Sequence, residues 1–515
     1  MTDVAVVPSS DLLRLRALLT ATGPAMELRS PITGEVMGEL PTSTSADVEV
    51  GAQLAHRAQA EWAARPINER AQLLLDFHDH LLDQRDYFID LLQSLGKDRL
   101  SAANEVFHLA LTARYYGRTA RRYLHSERGN GILPLLTRVD RHYVPKGLVG
   151  VIGPWNHPLT MAICDGLPAL VAGNAIMLKP DHQTPLVALA SVELLHKVGL
   201  PPDLWQVVHG RGAAVGPELI NVSDYVCFTG STAIGRTVAA RCAERLIGCS
   251  LELGGKNPMV ILDDADVEAA VEGAVRASFF NSGQTCLAIE RIYVVEPLFE
   301  RFIRAFVTQT KAIRPGHAPD FEHDMGSLIN QDQLKRVSAH VEDARAKGAT
   351  VLTGGRQRED LGELFYEPTI LTGVTPQMEC YTDETFGPVV SVYSVVDDDE
   401  AVARANDSDY GLNASVWTSD HDRGRRVASK IKCGTVNVNE GFAATLGSID
   451  APMGGMKNSG LGRRQGQDGI RRFVDVQSVA TQTGIPLAPS HGMDGKSFTS
   501  AMTGLLRVLK KVGRA

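Results

Sequence analysis

Leu148-Val149-Gly150-Val151-Ile152-Gly153-Pro154-Trp155-Asn156-His157-Pro158 is an apolar run that stops at a glycine and then at two prolines enclosing a tryptophan and an asparagine. A short, unbroken apolar run with that punctuation reads as a strand covered on both faces. Ala175-Ile176-Met177-Leu178 and Tyr225-Val226-Cys227-Phe228 have the same character, and residues 186–198 between them carry helical spacing. This alternation predicts βαβ units and a doubly wound, largely parallel sheet, an α/β fold.

Outward from that core, Met259-Val260-Ile261-Leu262 predicts a further strand, and Asp264 is placed to cap a helix containing Val267, Val271, Ala274 and Val275. Residues 291–295, 388–395, 414–418 and 434–439 predict later strands, so a second α/β region follows the first. Near the start, Val48, Ala55, Ala58 and Trp62 share one helical face, and Leu74, Phe77 and Leu81 line another. Residues 136–144 and 473–481 alternate apolar and polar side chains outside the βαβ rhythm, which predicts an antiparallel flap for subunit association. In the tail, Met502, Leu505, Leu506, Leu509 and Val512 face one way, with Arg507, Lys510, Lys511 and Arg514 mostly opposite. A basic amphipathic helix either lies on a membrane or packs on its own protein, and the second is the expectation here.

A chain of 515 residues exceeds what one core usually supports, so two or three domains are expected. With 44% hydrophobic and 22% charged residues it reads as an ordinary soluble protein. A net charge of -8 argues against nucleic acid as a partner. No apolar run approaches the ~20 residues of a membrane span, and the N-terminus, with Asp3 and Asp11, lacks the pattern of a signal peptide. Seven scattered cysteines (164, 227, 242, 249, 286, 380 and 433) without CxxC spacing suit reduced thiols in a cytoplasm, with no metal site.

Two segments carry chemistry. Asn281-Ser282-Gly283-Gln284-Thr285-Cys286 offers a cysteine in a small polar loop, where a thiolate can be exposed and activated, and Cys286 alone of the seven looks available to substrate. Glu252-Leu253-Gly254-Gly255-Lys256 offers a carboxylate beside two glycines, where a base could approach closely. A nucleophile with a separate base is the minimum for covalent catalysis through a thioester. The Asn156 amide is a fixed donor for a developing oxyanion. Gly230-Ser231-Thr232-Ala233-Ile234-Gly235-Arg236-Thr237 follows a strand and opens a helix, where backbone N–H groups and the helix dipole can hold a pyrophosphate. It departs from the triphosphate loop by having Arg in place of Lys. Lys179-Pro180-Asp181-His182-Gln183-Thr184-Pro185 puts a cation and a histidine at a strand's carboxyl edge, where cofactors of such folds sit.

Taken in order, PWNHP, LKPDHQTP, FTGSTAIG, LELGGKNP, NSGQTC, ETFGPVV and GGMKNSGLGR resemble the aldehyde dehydrogenase superfamily from about residue 30 to about 482. Within it the chain is similar to the actinobacterial proteins assigned as NADP-linked succinate-semialdehyde dehydrogenases, which share KPD-x-QTP, LELGGKNPM, MECxxxETFGPVVS and APMGGM. The resemblance implies a Rossmann-type cofactor domain (residues 1–127 and 147–253), an α/β catalytic domain (254–450), an oligomerisation flap (128–146 and 470–485) and a C-terminal tail (486–515). It also implies a homodimer or homotetramer. Cys286 would attack an aldehyde carbon, Asn156 and the Cys286 N–H would hold the oxyanion, hydride would pass to the nicotinamide, and Glu252 would activate water against the thioester. By the same resemblance Trp155, Asn156, Lys179, Pro180, Asp181, His182, Gly230, Ser231, Leu253, Glu384 and Phe386 contact the cofactor.

The presence of Glu252 favours hydrolysis to a free acid over transfer to coenzyme A, and the complete catalytic set weighs against a non-catalytic homologue. NAD-preferring relatives often carry Glu where this chain has His182. A histidine removes the repulsion of a 2′-phosphate, so NADP is expected to be preferred, with NAD possible. Many succinate-semialdehyde enzymes hold the substrate carboxylate with two arginines, at positions that are Cys164 and Phe280 here. Either another cation serves, Arg291 or one from the C-terminal region, or the substrate is a medium-chain or aromatic aldehyde.

Overall fold

The computed structural model describes residues 9–133, 136–484, 487–490 and 492–511. Asp3, Val512 and Arg514 lie outside the described residues. Two sheets dominate. The first has six strands in the spatial order Gly460–Leu461, Gly248–Glu252, Tyr225–Thr229, Leu148–Ile152, Ala175–Lys179 and Trp205–Val207. All pair parallel except the first, which runs antiparallel to Gly248–Glu252. Each of the runs predicted from residue 148 onward is a strand here, and Leu148–Ile152 and Ala175–Lys179 are buried along their whole length. The helix Pro185–Lys197 fills the expected interval, with proline at its first turn, where no intrahelical N–H is needed.

Chain order reverses between Leu148–Ile152 and Tyr225–Thr229. Both neighbouring strands there release their following loops at the carboxyl edge, which is where open α/β sheets place ligands. Those loops begin with Gly153-Pro154-Trp155-Asn156 and Gly230-Ser231.

The second sheet has seven strands, ordered Thr350–Thr353, Thr369–Thr372, Val389–Val395, Ile289–Val295, Asn257–Ile261, Asn413–Trp417 and Thr435–Val438, parallel except for its first pair. The four later strands predicted from the sequence fall in it. Its helix Val267–Phe279 is capped by Asp266, whose side chain accepts from Ala269 N, and not by Asp264. Asp264 accepts from Thr418 Oγ1 and Asp420 N instead, tying two loops together. Only four residues, Leu253 to Lys256, separate Glu252 at the end of one sheet from Asn257 at the start of the other. That short link sets the carboxyl edge of the first sheet against the amino edge of the second.

Thr137–Pro145 and Val474–Gln482 form an antiparallel ladder with the short strand Glu127–Gly129. Val474–Gln482 is an edge strand of this sheet and exposes Val476 and Val479. The tail helix Gly495–Lys511 buries no residue fully, and Met502, Leu505 and Leu509 of the expected apolar face are half-buried. Among the described residues no helix is long and apolar enough to cross a membrane.

Candidate active site

The loop that carries Cys286 is held in a conformation that ordinary residues avoid. Asn281 (φ 52°), Ser282 (φ 58°) and Gly283 (φ 71°) are three successive left-handed residues. For the two non-glycines each costs roughly 1–3 kcal/mol, so the surroundings must over-determine the loop. They do. Lys97 Nζ donates to Asn281 Oδ1 (2.7 Å) and Asn156 O (2.6 Å). Asn281 Nδ2 donates to Asn156 O and Gln284 O (both 3.1 Å). Ser282 Oγ donates to Gly326 O (2.9 Å), and Gln284 Oε1 accepts from Ile329 N (3.0 Å). At Gly283 an added Cβ would meet Gly387 O at 2.1 Å, inside van der Waals contact. We therefore expect Gly283→Ala to destabilise the protein by about 3 kcal/mol or more, through both φ and overlap. Urea denaturation checks this, and a loss under about 1 kcal/mol would contradict it.

Asn156 ends up beside this loop because its Nδ2 donates to Gln284 O (3.0 Å), two residues before Cys286. An amide nitrogen has two N–H bonds, so one remains for a ligand. Glu252 ends the strand Gly248–Glu252, and Gly254 and Gly255 let the chain pass close by. A Cβ on Gly254 would meet Glu384 Oε2 at 2.4 Å, and one on Gly255 would meet Cys286 O at 2.8 Å. Gly255 N donates to Glu384 Oε1 (2.8 Å). The loop of Glu384 is anchored by Glu290, which accepts from Thr385 N (2.9 Å) and Phe386 N (2.9 Å) and pairs with buried Lys256 (2.5 Å).

These elements enclose one cleft. Its wall includes Trp155, Asn156, Gly230, Ser231, Glu252, Leu253, Cys286, Glu384 and Phe386. Trp155 and Phe386 meet edge to face, with ring centroids 5.5 Å apart. Ser231 caps the helix Thr232–Glu244, whose N-terminus therefore opens into the cleft. A second cavity continues from Cys286 and Glu252 to His108, His157, Met161, Phe280, Phe442, Leu446, Met453 and Arg464. The predicted catalytic residues thus converge, as do seven of the cofactor residues. His182 lines a neighbouring cavity together with Arg211, a cation that sequence reasoning did not single out. Lys179, Pro180 and Asp181 line neither. Lys179 is buried with its Nζ turned onto Pro180 O (2.9 Å), and Asp181 Oδ1 accepts from Gln183 N (2.9 Å).

The electrostatics correct one expectation. Cys286 is half-buried, and burial, then the carboxylates of Glu252 and Glu384, push its thiol up to about 12. Burial first, and then the two acidic side chains in the cavity, favour the thiol form of Cys286 in the free site. Burial also pushes Glu252 up to about 7, with Arg464 opposing, and Glu384 up to about 8, with Glu290 adding to the effect. Cys286 is not alone in its exposure: Cys249 is half-buried too, and the other five cysteines are buried. Among the described residues, no cluster of His, Cys, Asp or Glu could hold a metal ion.

Residues 19–479 match the aldehyde dehydrogenase family. The chain belongs to that family. It is 47% identical over 509 residues, 98% of each chain, to a Mycolicibacterium smegmatis protein with the provisional name succinate-semialdehyde dehydrogenase (NADP(+)). A Mycobacterium tuberculosis H37Rv protein with a similar provisional name is 46% identical over 98% of this chain and 99% of its own. Among solved structures, an aldehyde dehydrogenase from Brucella melitensis biovar abortus superposes with a TM-score of 0.85 at 33% identity, covering 90% of this chain and 95% of its own. Betaine aldehyde dehydrogenase from Staphylococcus aureus, solved in complex with NAD+, gives 0.87 at 30% identity, covering 94% and 99%.

As an aldehyde dehydrogenase the chain is an NAD(P)-dependent oxidoreductase. Arg291, a candidate cation for a substrate carboxylate, has no access to the substrate cavity. Its guanidinium is buried and donates to the carbonyls of Lys256, Arg404, Ala405 and Asp407. Cys164 is likewise buried, against Thr112. The cationic side chain in the cavity wall is Arg464, from the C-terminal region.

Proposed function

We propose that this aldehyde dehydrogenase oxidises an aldehyde to the free acid with NADP, that Cys286, Asn156 and Glu252 carry the reaction, and that succinate semialdehyde is the leading substrate. The observation that carries the reading is the convergence of those three side chains on one cavity, from two sheets and three loops. Cys286 Sγ adds to the carbonyl carbon, and its proton leaves toward a carboxylate of the cavity. Asn156 Nδ2 and the Cys286 N–H hold the oxyanion, each such donor being worth roughly 3–4 kcal/mol. The cleft fits a nicotinamide dinucleotide: the N-terminus of Thr232–Glu244 faces it, and one oxygen of Glu384 is free of hydrogen bonds to face a ribose hydroxyl. Bound there, that group supplies a hydride acceptor. Glu252 then takes a proton from water as the oxygen attacks the thioester, and Cys286 leaves.

The names of the similar mycobacterial proteins support NADP and succinate semialdehyde. The cavity supports a second reading, an apolar aldehyde, because Phe280, Phe442, Leu446 and Met453 line it and its guanidinium is already paired with Asp165. A steady-state comparison of kcat/KM for succinate semialdehyde, hexanal and benzaldehyde decides between them. A higher value for either uncharged aldehyde would overturn the first.

For the coenzyme, His182 and Arg211 share a cavity wall, where a 2′-phosphate would find the Arg211 guanidinium and no carboxylate at position 182. We expect His182→Glu to lower the NADP/NAD ratio of kcat/KM at least about tenfold, which is ~1.4 kcal/mol. An unchanged ratio would remove His182 from the account.

The first sheet with its helices fits a cofactor domain, the second a catalytic domain, and the three-stranded flap an oligomerisation element. The exposed valines on the edge strand Val474–Gln482 support a homodimer or homotetramer, since such edges are usually covered. Free cysteines throughout suit a reducing cytoplasm.

A further inference from the structure

Behind Glu252 lies a buried group of charges that the reaction above does not use. Asp165 accepts from Arg464 Nη2 and from Arg472 Nη2, each at 2.6 Å. Arg464 Nη2 also donates to Thr229 Oγ1 (3.1 Å), and Arg472 Nη1 donates to Ser250 Oγ (2.9 Å). Thr229 stands directly across the parallel ladder from Glu252, so the Arg464 guanidinium lies one strand pairing away from that carboxylate. Main-chain bonds in both directions between Arg464 and Met453 fix the arginine's backbone. Three atoms of this charge group are buried without a hydrogen-bond partner: Glu252 Oε2, Arg464 Nε and Arg472 Nε. Glu252 and Arg464 line the cavity that holds Cys286.

Two guanidinium groups share one carboxylate, which leaves the group one positive charge in excess. An ionised Glu252 restores neutrality, whereas a protonated Glu252 leaves that excess buried. We propose that Arg464, braced by Asp165 and Arg472, is a positioning residue that stabilises the ionised form of Glu252 and so sets the pH range of thioester hydrolysis. The charged groups acting on Glu252 are Arg464, Asp165, Arg472 and Arg463, with Cys286 beside it in the cavity. Burial raises the carboxyl and Asp165 adds to the rise, while Arg464, Arg472 and Arg463 oppose it. In the step affected, a water proton passes to Glu252, the water oxygen bonds to the acyl carbon, and the C–S bond breaks with no change in oxidation state.

This inference rests on Glu252 as the base. Its test uses full-length Arg464→Met and Arg464→Lys enzymes with NADP and succinate semialdehyde, or hexanal where the semialdehyde is not turned over. Stopped-flow absorbance reads the burst of NADPH, and steady-state kcat is followed from pH 5.5 to about 9. In Arg464→Met the acid-limb midpoint of kcat is expected to rise by about one pH unit or more with the burst amplitude retained, and Arg464→Lys should restore most of that shift. Thr229→Val, which removes only an anchor of the guanidinium, should move the midpoint less and in the same direction. It carries the test alone if Arg464→Met does not fold. Midpoints that stay in place in the folded variants overturn the inference. Should Glu252→Gln still hydrolyse the thioester at the wild-type rate, the base assignment fails instead, so the two failures are separable.

Discussion

Cys286→Ala is expected to abolish aldehyde-dependent formation of NADPH, with kcat/KM falling at least about a thousandfold and no burst in the first turnover. Among the described residues, Cys286 carries the only thiol in the cavity wall that also holds Asn156 and Glu252. Cys164, Cys227 and Cys242 are buried in the core around the first sheet, and among the described residues no other thiol lines the cavity wall. Alanine removes the atom that bonds to carbon and leaves the loop geometry to its hydrogen bonds, none of which uses the sulfur. The variant should therefore keep its melting temperature within about 2 °C of the parent. Activity at the parent's level in a correctly folded variant would sink the covalent reading outright.

Glu252→Gln has the second-largest expected effect, and it falls on a different step. Glutamine keeps the shape but cannot accept the water proton, so the burst of NADPH should persist while steady-state kcat falls roughly 10²–10⁴-fold. The parent enzyme supplies an independent check. Burial raises the Glu252 carboxyl to about 7. The base is therefore protonated below that pH, and kcat should drop about tenfold per unit on the acid side and level off above it. In the glutamine variant that limb should vanish from the residual rate. A persisting limb near pH 7 would assign it to another group.

Much of the architecture is legible in local pattern. Unbroken apolar runs at 148, 175 and 225 become strands because a strand covered on both faces has no polar side to display. Trp205–Val207 and Gly248–Glu252 escape the same reading: three residues are too few to show a period, and Gly248-Cys249-Ser250 lacks an apolar run. Asp264 is not the cap of Val267–Phe279, because the cap is chosen by backbone geometry, which selects Asp266 two residues on. Arg211 and Arg464 leave no mark in sequence as site residues, since each looks like an ordinary charged loop residue until the fold places it in a cavity wall.

From sequence alone came the family, most of the strand-forming runs, and the residues proposed as nucleophile, amide donor and base, because these depend on residue type and near-neighbour spacing. Tertiary structure decided the charge state of those groups. A thiol, two carboxyl groups and a paired guanidinium, brought from positions 252, 286, 384 and 464 into two cavities that meet at Cys286 and Glu252, have their proton affinities shifted by one another and by burial, and neither influence is written in local sequence.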